Sequence, residues 1–204
     1  MAQRALIIID LQNDFCTGGA MAVPGGEQVV PIINGIASRF KRVIATRDWH
    51  PPKHVSFAST YNKEPYTSLK IGDRQQELWP NHCVMGTTGA AFHKGFNLKP
   101  VNLILHKGNH LEIDSYSAFM ENDKKTDTGL QYYLKGLDVD QVFLCGLATD
   151  YCVYHSALDA VNMGFDTTVI LDATRGVNKP DDSVKNAVSD MNSKGIHIIK
   201  HQEI

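Results

Sequence analysis

The sequence predicts a doubly wound α/β fold, a parallel sheet with helices on both faces. Three observations predict it. Short β-branched apolar runs recur along the chain, and stretches with helical spacing separate them. The runs are also nearly continuous in hydrophobicity, which suits strands covered on both faces. Alternation of strand and helix with short connections then implies right-handed crossovers between parallel strands.

In chain order, residues 5–9, 42–46, 101–105, 141–145, 167–171 and 196–199 read as buried strands. The spacing of Val29, Val30, Ile32, Ile33, Ile36 and Ala37 predicts a helix over residues 27–40. Residues 150–163 and 181–193 predict two more helices, the second capped by Asp181 or Asp182 just after Pro180. Gly164 and Gly195 stand where helix C-caps belong. Residues 47–100 are the exception, rich in Pro, His, Gly and aromatics but without a long periodic segment. So long a loop inside a compact domain is usually functional. With no repeat and no linker, residues 1–204 read as one domain with a loop excursion at about 47–100.

Composition narrows the function classes. A chain of 204 residues can bury a substantial core. Its formal net charge of -2 gives no electrostatic reason to expect nucleic acid or an anionic membrane as partner. No apolar stretch approaches the ~20 residues of a membrane helix. The opening apolar run ends at Asp10, too soon for a signal peptide, so the expected location is cytoplasmic. In that compartment Cys16, Cys83, Cys145 and Cys152 are expected to be reduced, and no CxxC pair suggests a redox motif or zinc knuckle. Neither a P-loop nor GxGxxG is present, so the usual nucleotide sites have no support. A homo-oligomer is left open.

Ligands of such folds bind beyond the carboxyl ends of the strands. That rule selects Asp10, Asp48, His50, Lys107 and the segment from Gly146 to Cys152. Alone, Asp10 reads as a turn-capping carboxylate and Lys107 as a solvated strand-end lysine. Together in a half-buried cleft, the lysine would hold the carboxylate and affect its protonation. Cys145, inside a strand, fits the ordinary inert buried thiol. Cys152 lies instead in the first turn of the next helix, where free N–H groups and the dipole favour a thiolate of lowered pKa. The same N–H groups can form an oxyanion hole. These features favour Cys152 as a nucleophile.

A metal signal stands beside it. Asp48-x-His50 puts two donors on one side of an extended segment, and Pro51 and Pro52 exclude helix there. His54 follows closely, and His82 lies in Trp79-Pro80-Asn81-His82-Cys83. One carboxylate with two or three imidazoles suits Zn, Fe or Mn at a site with open positions. The plainer alternative is a surface loop that happens to be His-rich. The remaining histidines have no convergent pattern.

Six blocks then come together: Asp-Leu-Gln-Asn-Asp-Phe (10–15), Thr-Arg-Asp-Trp-His-Pro (46–51), Trp-Pro-Asn-His-Cys-Val (79–84), Lys-Gly (107–108), Asp-Ser-Tyr-Ser-Ala-Phe (114–119) and Gly-Leu-Ala-Thr-Asp-Tyr-Cys-Val (146–153). In this order, across nearly the whole chain, they resemble the nicotinamidase/pyrazinamidase branch of the isochorismatase-like cysteine hydrolases. The resemblance implies a six-stranded parallel sheet and a Cys152–Asp10–Lys107 triad. It implies a divalent metal, zinc first and iron or manganese next, held by Asp48, His50 and His82. His54 falls on a position that is a ligand in some members and not in others. Phe15, Trp79 and Tyr116 would bind the substrate ring. The N–H groups of Ala148 and Cys152 would form the oxyanion hole, with a cis peptide between Leu147 and Ala148. The implied substrate is nicotinamide, and pyrazinamide with it, cleaved through a cysteine thioester in NAD salvage. A sister hydrolase for carbamoyl or ureido compounds would not need the metal donors, and a vinyl-ether hydrolase would lack Cys152. A thiol redox sensor or metal-binding module would explain one reactive group but not two sites in one cleft.

Overall fold

The computed structural model describes residues 3–204. In chain order the elements are β1 (Gln3–Ile9), α1 (Val29–Ala37), β2 (Arg42–Asp48), β3 (Thr67–Ile71), β4 (Arg74–Leu78), β5 (Leu103–Lys107), α2 (Leu130–Lys135), β6 (Val139–Leu147), α3 (Tyr154–Asn162), β7 (Asp166–Arg175), α4 (Ser183–Ser193) and β8 (His197–Ile199). All six predicted apolar runs enter one sheet of order β5-β2-β1-β6-β7-β8, and every neighbouring pair is parallel. Ala5, Leu6, Ile7, Ile8 and Ile9 are all wholly buried, because side chains alternate across a sheet covered on both faces. Leu6 and Ile8 pack with Val29, Ile33 and Ile36 of α1. Ala5, Ile7 and Ile9 pack in a second core with Leu134 of α2, Ala160 of α3 and Met191 of α4. Each fully buried Leu or Ile contributes roughly 1.5–3 kcal/mol. Among the described residues no helix is long and apolar enough to cross a membrane.

The structure departs from the expected elements at several boundaries. Asp48 and Lys107 are the last residues of β2 and β5 and pair with each other in register, rather than following their strands. Within 47–100, β3 and β4 form a two-stranded antiparallel hairpin that hydrophobic patterning did not indicate. Its residues are mostly polar and outward-facing, so there was little apolar alternation to read. Helix α2 was also missed, being six residues long between Gly129 and Gly136. Asp182 does sit at the N-cap of α4, but in a left-handed conformation and without a side-chain cap bond. Gly164 and Gly195 have φ of 85° and 78°, the left-handed backbone expected past a helix end.

The segment around Cys152 needs a larger correction. Thr149–Val153 forms a π-helical turn, and α3 begins only at Tyr154. Apolar spacing does not distinguish a single wide turn from α-helix. Such turns often occur at functional sites.

Candidate active site

Register brings the strand ends level. Ile9 pairs with Gly146 and Asp48 with Lys107, so Asp10, Asp48, Lys107 and the turn after β6 meet at one edge of the sheet. Lys107 is wholly buried, and such an ammonium is tolerable only when paired. Its Nζ lies 2.8 Å from Asp10 Oδ2. Its hydrogen bonds go to Asp48 Oδ1, to the Ser115 carbonyl at 3.4 Å and to Cys152 Sγ at 3.5 Å. Asp10 Oδ1 accepts from the Thr46 hydroxyl at 2.6 Å. Asp10 Oδ2 is buried, and its close partner is the Lys107 ammonium. This carboxylate also stands close to the thiol: ligand atoms of Asp10, Asp48 and Cys152 all lie within 4.8 Å of one another.

Electrostatics assign the protons. Burial pushes the Asp10 carboxyl up to about 6, against the pull of Lys107 and with help from Asp48. Burial pushes the Cys152 thiol well above its usual range, and Asp10 and Asp48 add to this against the pull of Lys107. This is opposite in direction to the lowered thiol pKa expected from a helix N-terminus, because loss of water outweighs the pull of Lys107. Burial works against charge on Lys107 too, but Asp10 and Asp48 hold it protonated. At neutral pH the set is a neutral thiol, an ionised Asp10 and a charged lysine.

Asp48 faces two ways. Its Oδ1 takes the lysine, while its Oδ2 lies 3.6 Å from His50 Nε2 and 3.9 Å from His82 Nε2. His50 Nδ1 donates to the Gly108 carbonyl and His82 Nδ1 to the Pro80 carbonyl, each at 2.8 Å. Both tautomers are thereby fixed with the Nε2 lone pair toward Asp48, the usual second-shell arrangement of a metal-binding histidine. All three residues are buried, and one donor atom from each lies within 4.8 Å of the others. Burial opposes charge on His50, while the neighbouring Asp48 carboxylate raises its pKa. Burial and His50 lower His82 to about 4, keeping it a neutral ligand. This donor set fits a divalent metal ion.

His54 falls outside that triangle. Its Nδ1 accepts from the Ser56 hydroxyl at 2.7 Å, and its Nε2 donates to the Ile113 carbonyl at 3.1 Å. Both its nitrogens are engaged, its ring stacks on His50 with centroids 4.2 Å apart, and with His50 and Asp114 it forms a second group of donor atoms within 4.8 Å of one another.

A pocket of about 400 Å³, its open mouth included, joins the two groups. Cys152 and Ala148 line one part and Asp48, His50 and His82 another; Phe15, Trp79 and Tyr116 form walls. The Trp79 indole donates to the Tyr116 hydroxyl at 3.2 Å, and Phe15 packs tilted on His82 at 5.6 Å. The Leu147–Ala148 peptide is cis. The Ala148 carbonyl accepts from the N–H groups of Tyr151 and Val153, on either side of Cys152, both at 3.1 Å. Sequence reasoning missed Thr46, Ser115, Tyr151 and Val177. Thr46 was within reach of it, since Thr46-x-Asp48 puts both side chains on one face of β2. Val177, following β7, also meets the strand-end rule.

The model of the isochorismatase domain matches residues 4–203. A nicotinamidase of Escherichia coli (strain K12) is 44% identical over 200 residues, covering 96% of this chain and 93% of the relative. A solved nicotinamidase/pyrazinamidase of Acinetobacter baumanii superposes with a TM-score of 0.96 at 43% identity, covering 100% of this chain and 98% of that one. A Pyrococcus horikoshii pyrazinamidase solved in complex with zinc gives a TM-score of 0.80 at 36% identity, covering 97% and 99% of the two chains. The chain therefore belongs to the isochorismatase family.

Proposed function

We propose that this enzyme hydrolyses nicotinamide to nicotinate and ammonia, and pyrazinamide to pyrazinoate and ammonia, through a thioester on Cys152. The observation that carries the reading is one pocket with a thiol and a buried metal-donor set on its walls, and the Asp10 carboxylate within 4.8 Å of that thiol. Asp10 takes the thiol proton and the sulfur attacks the amide carbon. The N–H groups of Ala148 and Cys152 receive the developing oxyanion. Asp10 returns its proton to the departing nitrogen, and ammonia leaves. Asp10 then takes one proton from water, whose oxygen attacks the thioester; the Asp10 proton restores the thiol, and the acid product leaves and gives its remaining proton to ammonia in solvent. Lys107 orients Asp10 and balances charge throughout. Asp48, His50 and His82 would hold a divalent metal, zinc first and iron or manganese next. When bound, the metal supplies a Lewis-acidic contact for the ring nitrogen. Phe15, Trp79 and Tyr116 flank the ring. In this reading the enzyme serves NAD salvage in the cytoplasm.

Ammonia release from nicotinamide by wild type and Cys152→Ala tests the proposal. Wild type should turn over, and the variant should lose on the order of 10³-fold or more in kcat while remaining folded. Intact-mass analysis of quenched wild type should show a nicotinoyl adduct confined to Cys152. Near-normal ammonia release by Cys152→Ala would remove the nucleophile assignment.

A further inference from the structure

Two side chains of the turn after β1, Gln12 and Asp14, reach the metal-donor set without lining the pocket. Gln12 is wholly buried, and its carboxamide makes three hydrogen bonds. Oε1 accepts from the Asp48 N–H at 2.8 Å, and Nε2 donates to the Asp48 carbonyl at 2.8 Å and to the Ala90 carbonyl at 2.9 Å. β1 ends at Ile9, whereas its neighbour β2 runs on to Asp48. The last peptide groups of β2 thus outrun their partner strand on that side. The Gln12 amide, with one donor and one acceptor, takes the place of the missing peptide. On the other side β5 holds the following residue, with the Trp49 N–H donating to the Lys107 carbonyl at 3.0 Å. Asp48 is held on both edges, which limits the directions its carboxylate can take.

Asp14 grips the second arm. Its Oδ2 accepts from the Cys83 N–H at 2.7 Å and its Oδ1 from the Ala20 N–H at 3.1 Å. The Cys83 carbonyl in turn accepts from the His50 N–H at 3.0 Å. Cys83, the residue after His82, is therefore fixed at its N–H by Asp14 and at its carbonyl by the His50 N–H. The fit is close: a Cβ added at Gly89 would stand 2.1 Å from Asp14 Oδ2. Asn13, between them, binds only the Thr88 carbonyl through its side chain, at 2.8 Å and in an exposed position.

We propose that Gln12 and Asp14 are positioning residues for the metal site, Gln12 setting Asp48 and Asp14 setting His82 through the Cys83 peptide. The proposal rests on the reading of Asp48, His50 and His82 as metal donors. Outer-shell partners of metal ligands typically govern affinity by about 10–100-fold. Neither side chain is required to touch metal or substrate, so the effect belongs to zinc binding rather than to thiol chemistry.

The test is zinc(II) affinity, measured by competition with a chromophoric chelator on chelator-stripped protein, with thermal unfolding of each metal-free variant alongside. Gln12→Leu and Asp14→Asn should each weaken zinc binding by about tenfold or more, while Asn13→Ala should stay within about twofold of wild type. A merely structural role would lower Tm and leave the zinc affinity of the folded protein unchanged. Wild-type affinity in folded Gln12→Leu overturns the proposal; should that variant not fold, wild-type affinity in Asp14→Asn does so. Equal weakening by Asn13→Ala also overturns it, since that would be a general loop effect. Absence of zinc binding in wild type would instead remove the underlying metal reading and this proposal with it.

Discussion

Asp10 and Asp48 show how neighbouring carboxylates acquire different roles. Burial acts on both, but Asp48 has Lys107, His50 and His82 around it and stays well below the usual carboxylate range. Asp10 has Lys107 and the Thr46 hydroxyl, and settles at about 6. A base must be ionised to take the thiol proton, so kcat/KM should fall as pH drops through the Asp10 pKa. The Thr46 hydroxyl donates to the charged form and lowers that pKa. Thr46→Val should therefore move the acid limb of the pH–rate profile to higher pH, measured as kcat/KM across the acid range. An unmoved limb would mean that Asp10 does not control it. Asp10→Asn and Lys107→Ala should each cost at least ~10²-fold in kcat. The double variant should lose little more than the worse single one, because groups in one proton path act as a unit. Multiplicative losses in steady-state kinetics would separate their roles. Cys152, Asp10, Lys107, Asp48 and His50 were legible because reactive residues stand at the ends of apolar runs, and His82 because it lies in the His- and aromatic-rich excursion. The double duty of Asp48 was not, since one carboxylate serving lysine and histidines at once is a matter of three-dimensional register. The thiol pKa was misjudged for a related reason: the local dipole can be inferred from sequence, but full desolvation cannot.

At the scale of elements, long apolar runs were readable and short polar ones were not. The sheet strands announced themselves because burial on both faces demands continuous hydrophobicity. The β3–β4 hairpin carries no such demand, and its best signal was the two-residue Gly72-Asp73 turn. The end of β6 illustrates how tightly an element must be shaped to present its turn. Gly146 has φ of 109°, and a Cβ there would lie 2.0 Å from the Ile9 carbonyl oxygen. Adjacent strands approach so closely at this point that only glycine fits. Gly146→Ala should cost ~1–3 kcal/mol of stability, read from urea unfolding. Activity should fall as well, because the displaced strand end carries Ala148 and Cys152. An unchanged unfolding midpoint would show that the backbone there can yield.

For the whole molecule, strand order explains why the site lies where it does. The chain builds outward from β1 to β2 and β5, then returns to lay β6, β7 and β8 on the other side. Connections therefore part between β1 and β6, and the crevice beyond such a switch point is where open α/β sheets bind ligands. Asp10 leaves one side of that crevice and the Cys152 turn the other. The loop excursion brings His50 and His82 over it, so nucleophile and metal donors face one pocket from different parts of the fold. The central claim is that these two groups measure one substrate, metal on the ring nitrogen and sulfur at the exocyclic carbonyl. Nicotinamide and pyrazinamide each offer a nitrogen meta to the amide-bearing carbon, whereas benzamide keeps the ring and carbonyl without it. A site built for a polar contact rejects an analogue lacking it by as much as 10⁴–10⁵. The most direct measurement is kcat/KM for nicotinamide, pyrazinamide and benzamide on zinc-loaded and chelator-stripped enzyme. Benzamide should fall at least ~10²-fold below nicotinamide on the loaded enzyme, and stripping should penalise nicotinamide and pyrazinamide far more than benzamide. Equal kcat/KM for benzamide and nicotinamide on the zinc-loaded enzyme would contradict the claim.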